Sequence, residues 1–243
     1  MKIIGIIPSR YKSTRFEGKP LADLLGKPML WWVWNQAKKA RKVDEFYVAT
    51  DDERIAAVCE QYQMKYIMTS SKHKTPIDRQ QEVSEKLPAD LYVCVNGDEP
   101  LVEPELIDSV IPDTVDSKYY VGGAITTIYN ACEVVDFTIS KVVVNAHNEL
   151  IWTSRSPIPY PKGTMDFQYK KLVGVQVMNK AALDFYVRTK RSKIELAEEC
   201  DLYRFLENGV KIKVVEFDSH SVSVDTSKDL EYVKSVLQNR NSV

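Results

Sequence analysis

Arg10, Arg15 and Lys19 recur every four or five positions in GIIPSRYKSTRFEGKPL, residues 5–21, a stretch that also carries Ser9, Ser13 and Gly18. Arginine offers forked donors and lysine a compact charge, a combination suited to a polyphosphate. A solvated basic loop is the equal alternative on composition alone. The spacing matches neither the G-x-x-x-x-G-K-[ST] of a P-loop nor the G-x-G-x-x-G of a dinucleotide site.

Two acidic stretches lie far downstream. In VNGDEPLVEPELI (95–107), Asp98 and Glu99 follow a run of strand residues, and Gly97 permits close backbone approach. A carboxylate at a strand end opposite a polyphosphate is a natural magnesium ligand, because a hard cation takes oxygen ligands and bridges them to phosphates. Taken alone, Gly-Asp-Glu-Pro reads as a turn. In SVDTSKDL (223–230), Asp225 or Thr226 suits the cap of a final helix. His73, His147 and His220 stand apart from any nucleophile or zinc spacing and read as loop or surface residues, which disfavours a serine or zinc hydrolase. Lys27 reads as a surface lysine at a helix entrance, and the tryptophans of WWVW as core or a subunit contact.

The elements that must position these residues alternate. Residues 2–7 form an apolar run suited to a strand covered on both faces and ended by Pro8. MLWWVWNQAKKARK follows as a helix, with Leu30, Val33, Trp34, Ala37 and Ala40 on one stripe and Pro28 at its entrance. EFYVAT, KYIMT and DLYVCVN read as strands, with DERIAAVCEQY and PIDRQQEVSEKL as helices between them. Such alternation predicts right-handed βαβ units, a mostly parallel sheet and a ligand at the carboxyl ends of the strands. Residues 119–178 read as strands without intervening helices, a β-rich extension, and the tail returns as helix IELAEECDLYRFLENG, strand VKIKVVEF and helix SKDLEYVKSVL. Gly209 is placed to stop the first of those helices.

Bulk properties set the outer limits. A chain of 243 residues encloses a substantial core, and no repeat or flexible linker divides it, so one domain over 1–243 is expected. With 33 Lys and Arg against 34 Asp and Glu, nothing suggests a nucleic-acid or membrane partner. Cys59, Cys94, Cys132 and Cys200 show no paired spacing and read as reduced core residues. No run has the length of a signal or membrane segment, so a cytoplasmic protein is expected.

The stretches IIPSRYKSTRFEGKPLADLLGKPM, VATDDERI, VNGDEPLV, TSRSPIPYP and SVDTSKDLEYV, in this order, resemble the 3-deoxy-manno-octulosonate (Kdo) cytidylyltransferases. The chain is also similar, more distantly, to the CMP-sialic acid synthetases. The resemblance implies a Rossmann-like nucleotidyltransferase fold and transfer of CMP from CTP to a 2-keto-3-deoxy sugar acid, with pyrophosphate released, for lipopolysaccharide or capsule. It further implies that Arg10, Ser13, Arg15 and Lys19 hold the phosphates, with the backbone at Pro8 and Ser9 near the cytosine and Asp78 and Arg79 close by. Asp98 and Asp225 would hold magnesium, and the β-rich extension would join two copies in a homodimer.

Departures gather where the acid acceptor would bind. The family's Gln-Gly-Asp-Glu-Pro has Asn96 here, its His-Ile-Gly-Ile strand has Leu172, its Glu-Gln-Leu-Arg has Asp201 and Leu202, and its Ser-Gly-Thr-Asp-Arg has Pro76 for the glycine. Arg155 is the candidate for the acceptor carboxylate, with a structural arginine as its alternative. Three functions stay open at this point: a Kdo enzyme, a relative that activates another ulosonate or a phosphonate, and a CTP-binding module without turnover. The retained Asp98 and Asp225 speak for an enzyme.

Overall fold

The computed structural model describes residues 1–12, 16–164 and 166–240. In chain order the elements are β1 (Ile3–Ser9), β2 (Asp23–Leu24), β3 (Lys27–Pro28), α1 (Met29–Ala37), β4 (Glu45–Thr50), α2 (Glu53–Gln61), β5 (Tyr66–Met68), α3 (Pro76–Lys86), β6 (Leu91–Val95) and α4 (Pro104–Ser109). The second half adds β7 (Val121–Thr127), α5 (Ala131–Val135), β8 (Lys141–Val144), β9 (Leu150–Ser154), β10 (Lys170–Met178), α6 (Lys180–Arg188), α7 (Lys193–Glu198), α8 (Tyr203–Leu206), β11 (Ile212–Glu216) and α9 (Ser227–Arg240).

The main sheet runs in the order β11-β7-β10-β6-β1-β4-β5. β1 pairs in parallel with β4 and β6, β4 with β5, and β11 with β7, while β10 is antiparallel to both of its neighbours. The α/β fold with a mostly parallel central sheet is therefore as expected. β1 lies between two strands, and its alternate side chains feed both faces. Ile3 and Ile7 join the core under α1, α2 and α4, and Ile4 and Ile6 the core under α3, α6 and α8. A third cluster, with Leu24, Met29, Leu101 and Val224, holds α9 through Leu230, Val233 and Leu237.

Three sequence expectations are corrected. Short helix α5 interrupts the stretch expected to hold strands without helices, and helices α4 and α6 form where no element was assigned. They were hidden because α4 and α5 have six and five residues, too few to display a helical period. The helix expected over IELAEECDLYRFLENG is broken into α7 and α8, with Glu199 left-handed at φ 49. Arg155 explains the break, since its Nε donates to the carbonyl of Glu198 at 2.6 Å and its Nη2 to that of Glu199 at 3.4 Å, so a tertiary donor caps the end. Cys132, expected in the core, is exposed on α5, whereas Cys59 and Cys94 are buried and all four cysteines are free. Within 119–178, β7 and β10 belong to the main sheet, and β8 and β9 form the part that leaves its path.

Candidate active site

A cleft opens at the carboxyl ends of the central strands, lined by Pro8 and Ser9 at the end of β1, Arg10 just after it, and Asn96, Gly97 and Asp98 after β6. The turn after β6 can lie this close because Gly97 has no side chain. A Cβ there would stand 2.8 Å from the Pro8 carbonyl oxygen. Lys19 and Pro20 enter from the loop after β1, which closes through a hydrogen bond from the Gly18 N–H to the Tyr11 carbonyl (2.9 Å), with Gly18 at φ 68. The Arg54 guanidinium stacks 3.2 Å above the Tyr11 ring and steadies that closure.

Lys19 joins both acidic stretches. Its Nζ donates to Asp98 Oδ2 at 2.7 Å and to Asp225 Oδ1 at 3.2 Å, bringing together residues 79 and 206 positions away. The segment carrying Asp225 is tied to the turn after β6. The Val224 N–H donates to the Asp98 carbonyl (2.9 Å), Ser221 Oγ to Glu99, and the His220 N–H and Ser219 Oγ to Glu103 at 2.8 Å each. Thr226, not Asp225, caps α9, because Asp229 Oδ2 accepts from the Thr226 N–H while Thr226 Oγ1 accepts from the Asp229 N–H. The carboxylate of Asp225 is thereby left to meet Lys19.

Asp98 Oδ1 is buried and lacks a hydrogen-bond partner among the described residues. A buried, unpaired carboxylate oxygen is costly unless a ligand completes it. Two aspartates beside a cleft, one with an oxygen to spare, fit magnesium, which takes few protein ligands and completes its shell with water and phosphate. No group of three or more His, Cys, Asp or Glu able to hold a metal exists among the described residues, so phosphate oxygens would have to share this site. Glu99, beside it, is pushed up to about 7 by burial and then by the charge of Asp98.

On the other wall stand His73, Lys74, Thr75, Pro76 and Arg79. Arg79 is buried and donates to Thr69 Oγ1 and to Asp51 Oδ1 (3.0 Å); burial draws its pKa down and Asp51 opposes the shift. Asp78 is spent within the helix entrance. Its Oδ2 accepts from the N–H groups of Lys74 (3.1 Å) and Thr75 (3.0 Å), while Thr75 Oγ1 accepts from its own N–H. Pro76 occupies the first turn of α3, where a missing N–H costs nothing. Ser13 and Arg15 lie outside the described residues.

The acceptor candidates divide. Asn96 lines the cleft, packed so tightly on β10 that a Cβ at Gly174 would stand 2.9 Å from its Nδ2. Leu172 pairs with Ile125 across β10 and β7 and packs half-buried against the core under α3 and α6. Asp201 is raised to about 6 by burial and then by the charge of Glu195, with Arg204 and a hydrogen bond from Tyr186 opposing. Arg155 is not among the residues that line the cleft, and besides α7 it donates from Nη1 to the carbonyls of Phe137 (2.9 Å) and Thr138 (3.0 Å). His73, read as a loop residue, faces the cleft, and nothing in its sequence spacing pointed there.

A sequence model of a cytidylyltransferase family matches residues 4–212. The 3-deoxy-manno-octulosonate cytidylyltransferase of Geotalea uraniireducens is 42% identical over 96% of this chain and 98% of its own, and that of Escherichia coli is 34% identical over 97% and 96%. The chain belongs to the 3-deoxy-manno-octulosonate cytidylyltransferases. A solved CMP:2-keto-3-deoxy-manno-octonic acid synthetase complexed with CTP superposes with a TM-score of 0.92 at 34% identity, covering 99% of this chain and 100% of that one. The 4-diphosphocytidyl-2C-methyl-D-erythritol synthase of Anaerococcus prevotii, at 16% identity and a TM-score of 0.64, shares the fold. As a member of this family the chain is a nucleotidyltransferase. Among its described residues no helix is long and apolar enough to cross a membrane.

Proposed function

We propose that the cleft binds CTP and a 3-deoxy-manno-octulosonate-type acid and transfers CMP to the acid's anomeric hydroxyl, releasing pyrophosphate. The observation that carries this reading is Lys19 held between Asp98 and Asp225, with Asp98 Oδ1, at the mouth of the central strands, unpaired among the described residues. Arg10 and Lys19 set positive charge against the triphosphate and hold it so that the attacked α-phosphorus faces the acceptor. Lys19 also offsets charge that develops on the departing pyrophosphate. Asp98 and Asp225 would hold magnesium, which when bound supplies Lewis acidity and screens the repulsion between two anionic reactants. Asn96 is the acceptor-side group that lines the cleft. Arg155 is assigned a structural role, because its donors are engaged by backbone carbonyls.

Pyrophosphate release with CTP, magnesium and a panel of acids tests the reading. Turnover with Kdo is expected; turnover with a different ulosonate alone would move the acceptor assignment, and CTP binding without release throughout would refute catalysis. Leu172→His adds a polar group on β10, and a gain in kcat/KM for Kdo over other ulosonates is expected; an unchanged preference would remove Leu172 from the acceptor side.

A homodimer is part of the proposal. Val135 on α5, Phe137 just after it, Ile151 and Trp152 on β9 and Leu196 on α7 are exposed, and Arg155, next after β9, ties the segment after α5 to the end of α7 through its backbone contacts. Such an apolar face suits a second copy of the chain. Sedimentation equilibrium should return twice the chain mass, and Trp152→Glu should return the monomer.

A further inference from the structure

The nucleotide wall formed by His73, Lys74 and Thr75 belongs to the connection between β5 and α3, and its main anchor stands outside the cleft. Glu82, on the second turn of α3, gathers three donors. Its Oε2 accepts from the Ser70 N–H at 2.8 Å and lies 2.5 Å from His73 Nε2, while its Oε1 accepts from Lys86 Nζ at 2.6 Å. Lys86 Nζ also donates to the Met68 carbonyl at 2.7 Å, tying the same carboxylate back to the end of β5. Burial alone would raise the Glu82 pKa, yet these donors hold it down at about 2, so the anchor is an anion. Among the described residues no other tertiary hydrogen bond holds Ser70 to His73; Lys72 bonds locally to Ser70 Oγ, and Lys74 and Thr75 bond to Asp78.

We propose that Glu82 is a positioning residue for the nucleoside triphosphate: it acts through His73, fixing the imidazole and the segment 70–75 against the bound nucleotide. With Nε2 engaged by Glu82, Nδ1 is the ring nitrogen left for the ligand. Held in advance by one carboxylate, the wall has less freedom to lose when the nucleotide arrives, so removing the anchor weakens affinity and leaves the chemical step nearly intact. A purely structural Glu82 would lower stability without a selective effect on the nucleotide.

The inference rests on the reading that this cleft takes CTP, and the experiment separates the two. CTP is titrated into wild-type protein, Glu82→Gln, His73→Ala and the double variant in the presence of magnesium, followed by steady-state kinetics for each substrate and thermal unfolding. Each single variant is expected to bind CTP about tenfold more weakly, the loss of one charge-assisted hydrogen bond. KM for CTP should rise in step while kcat and the acceptor KM hold, and the double variant should be no weaker than the weaker single one, as for two residues acting as one unit. Wild-type CTP affinity in Glu82→Gln, additive losses in the double variant, or a lowered unfolding midpoint with unchanged KM would overturn the proposal. His73→Ala keeps the test decisive if the Glu82 variant fails to fold. Failure of the wild type to bind CTP would remove the cleft assignment and this inference with it.

Discussion

Two clusters of opposed charge in this molecule, one of glutamate and arginines and one of lysine and aspartates, are completed differently. Behind α7 and α8, Glu195 is fully buried and takes Arg204 Nε at 2.7 Å, Arg204 Nη2 at 2.9 Å and Arg191 Nε at 2.8 Å. Arg204 spends Nη1 on the Tyr186 carbonyl (3.2 Å) and stacks on the Tyr186 ring. At the strand ends, Lys19, Asp98 and Asp225 keep side-chain exposures of 15, 23 and 31%, and one oxygen of Asp98 has no hydrogen-bond partner among the described residues. A closed set of partners stabilises the fold, and an open set is completed by a ligand.

Breaking each cluster should therefore cost different things. Glu195→Gln leaves Arg204 buried without its counter-charge and is expected to lower stability by about 3–5 kcal/mol. Urea unfolding measures it, and a loss near zero would erase the contrast. Asp98→Asn should cut turnover by about a hundredfold or more through one lost preorganised contact in the transition state. The unfolding midpoint should hold or rise, since an unpaired anionic oxygen is removed; retained activity would show that the open cluster is not catalytic.

The smallest effect sharpens the comparison at its border. Asp201, near both Glu195 and Arg204, is raised from an ordinary 3.8 to about 6 by burial and then by the charge of Glu195. Between those values the folded chain holds a proton that the unfolded chain has released, so stability falls as pH rises through this window and levels off above it. Asp201→Asn should flatten that slope, read from unfolding midpoints at several pH values, and an unaltered profile would place the cause elsewhere.

How far the sequence could be read follows from which interactions are local. β1, β4 and β6 announced themselves as apolar runs because both of their faces are covered, and α1 showed its stripe because it packs on one side. Short helices such as α5 gave no period to detect, and the break after Glu198 depends on an arginine 43 positions upstream. In the cleft, Arg10, Lys19 and Asp98 were legible from residue type and their place after strands. His73 was not, because its partner Glu82 lies nine positions along on a different element and the pair exists only once the segment after β5 folds back on α3.

Chain order alone determined the strand-helix alternation, the side of the sheet where the cleft opens and the basic composition of the loop that enters it, since these depend on neighbours within a few residues. Which carboxylates meet Lys19, that Thr226 takes the cap so that Asp225 is left for the cleft, and that Arg155 is consumed by backbone carbonyls were decided by the tertiary structure. The physical reason is that each polar group has few bonds to make, and only packing settles which acceptors stand within reach of which donors.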